Sequence, residues 1–420
     1  MRVIKWLCGL CLVLGCAGGT YLWLRDEPPS AEVQQWLQQA RSKPAQSAAY
    51  VFLAGLDAPL RHSPAALGAA RLQAYEQWLA SHGPVQGFKP AAQVSLTLPG
   101  GAEFCSIETP SCFTSLQQRP ERLPQVLAEH AALLSRYRYF LRLHDYRTLS
   151  SPGLAEPLPP LLYLARAQQL LSLQALQLAL AGEGKAALAL LEEDQAGIRR
   201  QLGKADQLVM KMTLVAMFNR NLEWRVRLHR AGLVPRPTPL VKLRPAERSL
   251  GLTMQREFLL GAVMLENLRE EDIPSMLEEA SLWLDYKPQM TINASLLPYR
   301  QVAQLSRTEP AAFAALVQKR PQLPVPNTGL RNRVGNILLD IAGADFVEYV
   351  GRVQDLDSKI KLVNLSLQLP SGPVTAAQLA AMRHRGNPYY AKQPPRLDEQ
   401  GRMCFDGPLP QKDFGRCVQL

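Results

Sequence analysis

The stretch from Leu161 to Ala181, LLYLARAQQLLSLQALQLALA, decides how the rest of the chain is read. Its apolar residues face nearly every direction of a helix, broken only by Arg166, Gln168, Gln169, Gln174 and Gln177. A membrane crossing is disfavoured here, because an arginine near the middle of a span costs about 2.5 to 3.5 kcal/mol and the glutamines add to that. A helix that is apolar all round and lies outside lipid is buried by other helices. This one is therefore read as the central helix of a mainly helical protein. Working outward, Gly182-Glu183-Gly184 makes a tight turn into Ala186 to Gln201, and Asp206 to Arg230 follows as another long helix. The hairpin has the look of a helical-repeat unit, but repeats must recur, and about 34 residues on stand Leu214-Val215-Ala216 with no glycine turn nearby. The expected fold class is mainly α: an irregular helical bundle or degenerate α-solenoid, with minor β-strand elements near the cysteine pairs.

Proline cuts the rest into packets. The 33 prolines cluster at Leu154 to Pro160, Pro235 to Pro245, Pro321 to Pro326 and Pro394 to Pro395. Between the clusters apolar residues recur at helical spacing rather than in alternation. Short helices are expected at Ala31 to Gln39 and Ala45 to Leu56. A longer one is expected at Pro64 to Ser81, with its proline in the first turn, where a missing N–H costs nothing. Pro124 to Arg147 reads as one amphipathic helix with Leu127, His130, Leu134, Tyr137, Leu141 and His144 on a face, and another helix runs from Asp345 towards Leu369. Only Val94 to Leu98 and the residues around Met403 to Phe405 look like strands. The expected organisation is an anchor at 1–25, a helical subdomain at 26–150 with the Cys105/Cys112 loop, a helical core at 151–385, and an irregular segment at 386–420 with the Cys404/Cys417 loop.

The N-terminus carries the strongest functional signal. Trp6 to Leu24 holds no charge, Arg2 and Lys5 precede it, and Arg25, Asp26 and Glu27 follow. As a helix it spans about 28 Å, close to the ~30 Å of bilayer hydrocarbon. Basic residues before the span keep the N-terminus cytoplasmic and export everything after Leu24. The expected localisation is a bacterial inner membrane, crossed once, with the C-terminal domain periplasmic. Two processing alternatives stand beside an uncut anchor. Gly15-Cys16-Ala17 ends a short apolar core as a cleaved signal peptide would, and Val13-Leu14-Gly15-Cys16 loosely resembles a lipoprotein acceptor site. Against both, the apolar run continues through Tyr21, Leu22, Trp23 and Leu24.

Cysteine usage fits export. Cys8, Cys11 and Cys16 lie in the apolar run, and the other four fall as local pairs, Cys105 with Cys112 and Cys404 with Cys417. In an oxidising compartment these read as disulfides. Three connectivities are open to four cysteines; the local ones are favoured because each pair brackets a short proline-containing loop. Neither pair has the spacing of a zinc site.

Motifs of chemistry are missing. There is no H-E-x-x-H, G-x-S-x-G, P-loop or G-x-G-x-x-G. None of the histidines, His62, His82, His130, His144, His229 and His384, stands three or four residues from another. His130 and His144 share a face but lie about 21 Å apart along a helix, too far to hold one ion. Ser358 and Lys361 form one Ser-x-x-Lys without the companion motifs of penicillin-recognising enzymes, and are read as a solvated helix face. The acidic stretch Glu266, Glu270, Glu271, Asp272, Glu278 and Glu279 reads as wetted surface. No catalytic, cofactor-binding or metal residue is expected.

Basic residues outnumber acidic ones, 47 to 36. Arg119 to Arg147 and Arg220 to Arg248 carry much of the excess. In Ser135-Arg136-Tyr137-Arg138-Tyr139-Phe140 arginines interleave with aromatics, as in single-strand binders. Helical spacing undoes that pattern, and export makes nucleic acid an unsuitable partner. Anionic lipid, cell-wall polymer or other envelope proteins suit the positive charge better, with Arg136, Arg138, Arg142 and Arg147 as the expected contact surface.

Asn387-Pro388-Tyr389-Tyr390-Ala391-Lys392-Gln393-Pro394, followed by Arg396-Leu397 and Met403-Cys404-Phe405, resembles the closing element of helical envelope proteins of Gram-negative bacteria, which introduces a short β-hairpin. This chain has one extra residue there, and Ala391 in place of glycine. The segment Phe104-Cys105-Ser106 to Ser111-Cys112, leading into Leu133-Leu134-Ser135-Arg136-Tyr137, is similar to such proteins as well. The resemblance implies the fold and compartment but no activity. The expected function is a binding or assembly component of the cell envelope. The alternatives are an envelope hydrolase acting on cell-wall polymer and a helical receptor for a small apolar ligand or lipid.

Overall fold

The computed structural model describes residues 2–420 apart from 43, 91–93, 269–283, 320–326, 342–345, 371, 383–385 and 412–414; the side chains of 2–5 and 7–9 also lie outside the description. The helices are α1 Arg2–Leu24, α2 Ala31–Arg41, α3 Ala48–Ala54, α4 Pro64–His82, α5 Pro110–Gln118, α6 Arg122–Glu129, α7 Ala131–Arg142, α8 Leu161–Leu180 and α9 Gly184–Leu202. They continue as α10 Leu208–Arg230, α11 Pro245–Arg248, α12 Gly251–Glu266, α13 Pro288–Leu305, α14 Pro310–Gln318, α15 Arg333–Ile341, α16 Val347–Ser366 and α17 Ala376–Ala380. Three short strands close the chain, β1 Arg396–Leu397, β2 Arg402–Cys404 and β3 Cys417–Gln419. The protein is mainly helical with one small sheet, as expected.

The central-helix reading of 161–181 holds. Leu164, Ala167, Leu170, Leu171, Ala175 and Leu176 of α8 are fully buried, and α8 packs against α7, α9 and α10. In turn α10 packs on α9, α12, α16 and β3, so it is the axis around which the late helices assemble. Close approach is built in with glycine: a Cβ on Gly197 of α9 would run into Leu141 of α7, and one on Gly68 of α4 would run into the Val51 carbonyl of α3. One hydrophobic cluster joins residues from Ala49 to Val418. A second, smaller one gathers Val33 and Leu37 of α2, Phe258, Leu259 and Ala262 of α12, and Ile292 and Leu296 of α13.

The strands form an antiparallel sheet in the order β1-β2-β3, with Leu397 opposite Met403 and Cys404 opposite Cys417. The Cys404–Cys417 disulfide therefore joins directly paired residues, and Cys105–Cys112 closes the other local loop. Both expected pairings are present. The first lies beside strands; the second sits between a short 3-10 turn at Ala102–Phe104 and α5, with no strand near it among the described residues.

Two element expectations are corrected. Val94 to Leu98 is extended but unladdered: the Leu96 N–H donates to the Asp57 carbonyl (2.8 Å) and its carbonyl accepts from the Tyr163 hydroxyl (2.7 Å), so the loop after α3 and helix α8 supply what a partner strand would. The helix expected over Pro124 to Arg147 is two, α6 and α7, separated at His130, and it ends at Arg142. Buried His130 packs edge-on against Phe104. Beyond Arg142 the chain turns extended and delivers Asp145 to the start of α3, where its carboxylate accepts from the N–H groups of Ala48 (2.6 Å) and Ala49 (3.0 Å). Ending α7 at Arg142 thus lets a carboxylate satisfy N–H groups that a helix N-terminus leaves without intrahelical partners.

Among the described residues no helix is long and apolar enough to cross a membrane. The uncharged run Trp6 to Leu24 passes through 7–9, whose side chains lie outside the described ones. Its helix nonetheless runs unbroken from Arg2 to Leu24, and residues 10–23 are all exposed.

Candidate functional site

The basic residues are the natural starting point, because sequence marks them as the contact surface. Arg136 turns inward from α7 into the loop after α3, donating to the carbonyls of Leu56 (3.0 Å), Ala58, Pro59 (3.1 Å) and His62 (3.4 Å). Arg138 donates to the Gln174 side chain of α8 (2.9 Å), and Arg147 lies 3.5 Å from the Asp206 carboxylate. Of the four, Arg142 alone is exposed, resting over the Tyr139 ring. The same use of cations recurs. Arg200 donates to Leu141 O (2.7 Å) at the end of α7, Arg230 to Gly372 O (2.6 Å), and Arg227 to the carbonyls of Ile107 and Thr109 (3.3 Å each). Buried Lys211 spends its three protons on Leu202 O (2.7 Å), Glu247 O (2.9 Å) and Ser249 O (3.1 Å). Helix C-termini leave carbonyls without intrahelical partners, and a cation is a strong donor to them. Much of the positive charge stitches helix ends and loops and needs no external anion.

The main polar cleft lies between α10 and α16. It encloses about 210 Å³ and is lined by Glu108, Asn219, Arg220, Arg352 and Asp355 together with apolar Met212, Val215, Ala216 and Leu356. Behind it, Arg220 donates to the Gln168 side-chain oxygen (2.7 Å), which turns the Gln168 amide so that it donates to Asp194 (3.1 Å). Asp194 is fully buried in α9 and also accepts from Asn221 (2.8 Å) and the Tyr137 hydroxyl. Burial pushes its carboxyl up to about 6, against the pull of these donors and of Arg220. Burial likewise draws Arg220 below its ordinary value. Asp355 on the cleft wall is tied to Arg416 (3.1 Å from each carboxylate oxygen) and accepts from the Tyr389 hydroxyl (2.6 Å); burial raises it too. Glu108 accepts from Ser106 (2.6 Å).

Both carboxylates of the cleft are thus held by protein donors, and its volume falls below the ~300 Å³ at which ligand pockets usually begin. Wider concavities are shallow grooves. One, about 560 Å³, runs past Phe113, Arg227, Arg230, Val374, Leu397 and Leu420; another, about 600 Å³, lies beside α2. The three groups Asp398, Cys404 and Cys417 come close enough for a metal ion among the described residues, but the two sulfurs are bonded to each other and offer no thiolate.

Sequence reading placed Ser358 and Lys361 on a solvated face. Instead Ser358 is fully buried while Lys361 is exposed, so the two do not share an environment. The neighbouring Lys359 is buried and pairs with Glu223 at 2.9 Å, the same carboxylate that accepts the Gln419 N–H of β3 (2.9 Å). In the acidic stretch Glu270, Glu271, Asp272, Glu278 and Glu279 lie outside the described residues, as does His384. The Asp194 network was missed, although a signal existed: Ala187, Leu191, Asp194 and Ile198 share one buried stripe, so an acid occupies a core position.

No protein-family model matches the chain. No curated protein matches it, and no solved structure matches it.

Proposed function

We propose that this chain is a membrane-tethered, exported helical component of a bacterial envelope that works by binding or assembly rather than by turnover. The observation that carries the reading is α1: an unbroken helix from Arg2 to Leu24 whose residues 10–23, including Leu12, Val13 and Leu14 at 62–70% exposure, face outward. A soluble protein rarely leaves so long an apolar surface uncovered, and lipid is the environment in which it costs nothing. The two disulfides support the oxidising side of that membrane for the rest of the chain. Shallow grooves and a small cleft with engaged carboxylates favour contact over chemistry. Arg142, the exposed member of the expected four, is the one best suited to meet an envelope partner.

The test is in-cell crosslinking of the full chain. Replacing α1 by a cleaved signal sequence is expected to abolish both the crosslinks and the capacity to complement a deletion strain. The enzyme reading is favoured instead if Glu108→Gln or Ser358→Ala abolishes complementation while folding and crosslinks persist.

A further inference from the structure

Helix α15 packs one face and leaves an apolar one open. Gly335 and Leu339, and Asn332 in the 3-10 turn just before the helix, are buried. Asn332 donates to Thr291 of α13 (3.0 Å), and a Cβ on Gly335 would meet the Thr291 and Asn332 side chains, so this face is pressed onto α13. On the opposite side stand Leu330 (77% exposed), Ile337 (57%) and Ile341 (77%), with half-buried Val334 between them. At about 100° per residue Val334, Ile337 and Ile341 fall within about one sixth of the helix circumference, on the side away from Gly335 and Leu339, and Leu330 stands in the 3-10 turn that leads into the helix. Arg333 flanks the stripe with an exposed side chain, 3.9 Å from Asp285.

What covers this face is set by where it sits. Arg331, immediately before α15, donates to Leu22 O (2.8 Å) and Arg25 O (3.0 Å) and reaches Glu27 (3.3 Å), so the segment is bound to the last turn of α1. From the other side Asp26 accepts from the Gln289 (2.8 Å) and Met290 (3.0 Å) N–H groups, capping α13 and fixing the exit of α1 against the same layer. Tyr21 and Trp23 at that end of α1 are exposed, as aromatic side chains at a bilayer interface are.

We infer that α15 is an interfacial helix that rests its Leu330–Val334–Ile337–Ile341 face in the outer leaflet beside α1, with Arg333 at headgroup level. This rests on reading α1 as the anchor. A helix lying in the interface buries its apolar face about 5 to 10 Å into the headgroup and acyl boundary, and a flanking cation adds attraction to anionic lipid. Joined rigidly to the anchor, the helix meets the surface without a separate binding step, and it orients the bundle relative to the membrane.

The experiment uses the full chain with Cys8, Cys11 and Cys16 changed to Ser and both disulfides intact, reconstituted in phosphatidylethanolamine–phosphatidylglycerol vesicles. An environment-sensitive fluorophore is placed in turn at Ile337→Cys, Ile341→Cys, Leu14→Cys and Leu162→Cys, and doxyl-labelled lipid is the quencher. Quenching of about twofold or more is expected at 337, 341 and 14, with none at 162. Quenching at 14 but not at 337 or 341 overturns the inference and leaves the anchor standing. A blue-shifted but unquenched signal at 337 and 341 also overturns it, placing a second copy on that face. No quenching at 14 removes the anchor and this inference together.

Discussion

Arg136 ends among four carbonyls, and removing it leaves acceptors in a half-buried loop with nothing to replace it. Arg136→Met is expected to lower the unfolding free energy by about 2 to 4 kcal/mol, whereas exposed Arg142→Gln should change it by no more than ~0.5 kcal/mol. Urea unfolding of the pair checks the contrast. Asp194 gives a pH signature. Its folded carboxyl titrates near 6, above its ordinary 3.8, so the native state holds a proton that the unfolded chain has released. Its contribution is therefore full below the unfolded value, falls as pH rises through roughly 4 to 6, and is flat beyond. The size is on the order of 3 kcal/mol. Asp194→Asn should remove that slope. It should also lower stability at neutral pH by about 1 to 3 kcal/mol, because the new amide turns a donor towards those of Gln168 and Asn221. Chemical unfolding at several pH values, taken as wild type minus variant, isolates the effect from other carboxylates.

At the scale of elements, the tight crossings are steric. The α3–α4 crossing depends on Gly68, and Gly68→Ala should destabilise by about 2 to 4 kcal/mol, since backbone rather than a flexible side chain blocks the new methyl. Gly87→Ala, with open space around it, should be neutral by the same unfolding assay. Serine replacement of either disulfide should cost about 2 to 3 kcal/mol, because seven- and thirteen-residue separations restrict little chain. Peptide mapping without reduction should recover both local pairs. Long helices with many buried residues, α8, α9, α10 and α16, were legible because 3.6-residue periodicity reports burial directly. The break at His130 was not, since periodicity runs straight through it, and neither was the end at Arg142, whose reason lies in distant Ala48 and Ala49. Val94, Leu96 and Leu98 alternate like a strand, but strandhood needs a partner that no local pattern specifies. The candidate cleft and the network behind it stayed hidden for the same reason: Arg220, Gln168 and Asp194 come from three different helices.

For the molecule as a whole, the +11 formal charge invites a reading as an anion-binding surface, and the fold spends much of it internally. An irregular bundle with many proline-cut ends exposes many orphan carbonyls, and arginine or lysine closes them at long range. Charge composition alone cannot separate that use from partner binding, because both need the same residue types. In the proposed function α1 is the tether that makes the bundle an envelope component, so that proposal depends on which side of a membrane the bundle occupies. The most direct measurement is a pair of reporters fused in turn after Leu420 in a Gram-negative host: alkaline phosphatase, active only where disulfides form, and a fluorescent protein that matures only in the cytoplasm. An active phosphatase and a dark fluorescent protein, both retained in the membrane fraction with Cys16→Ser, are the predicted result. An inactive phosphatase with a bright fluorescent fusion would contradict the account.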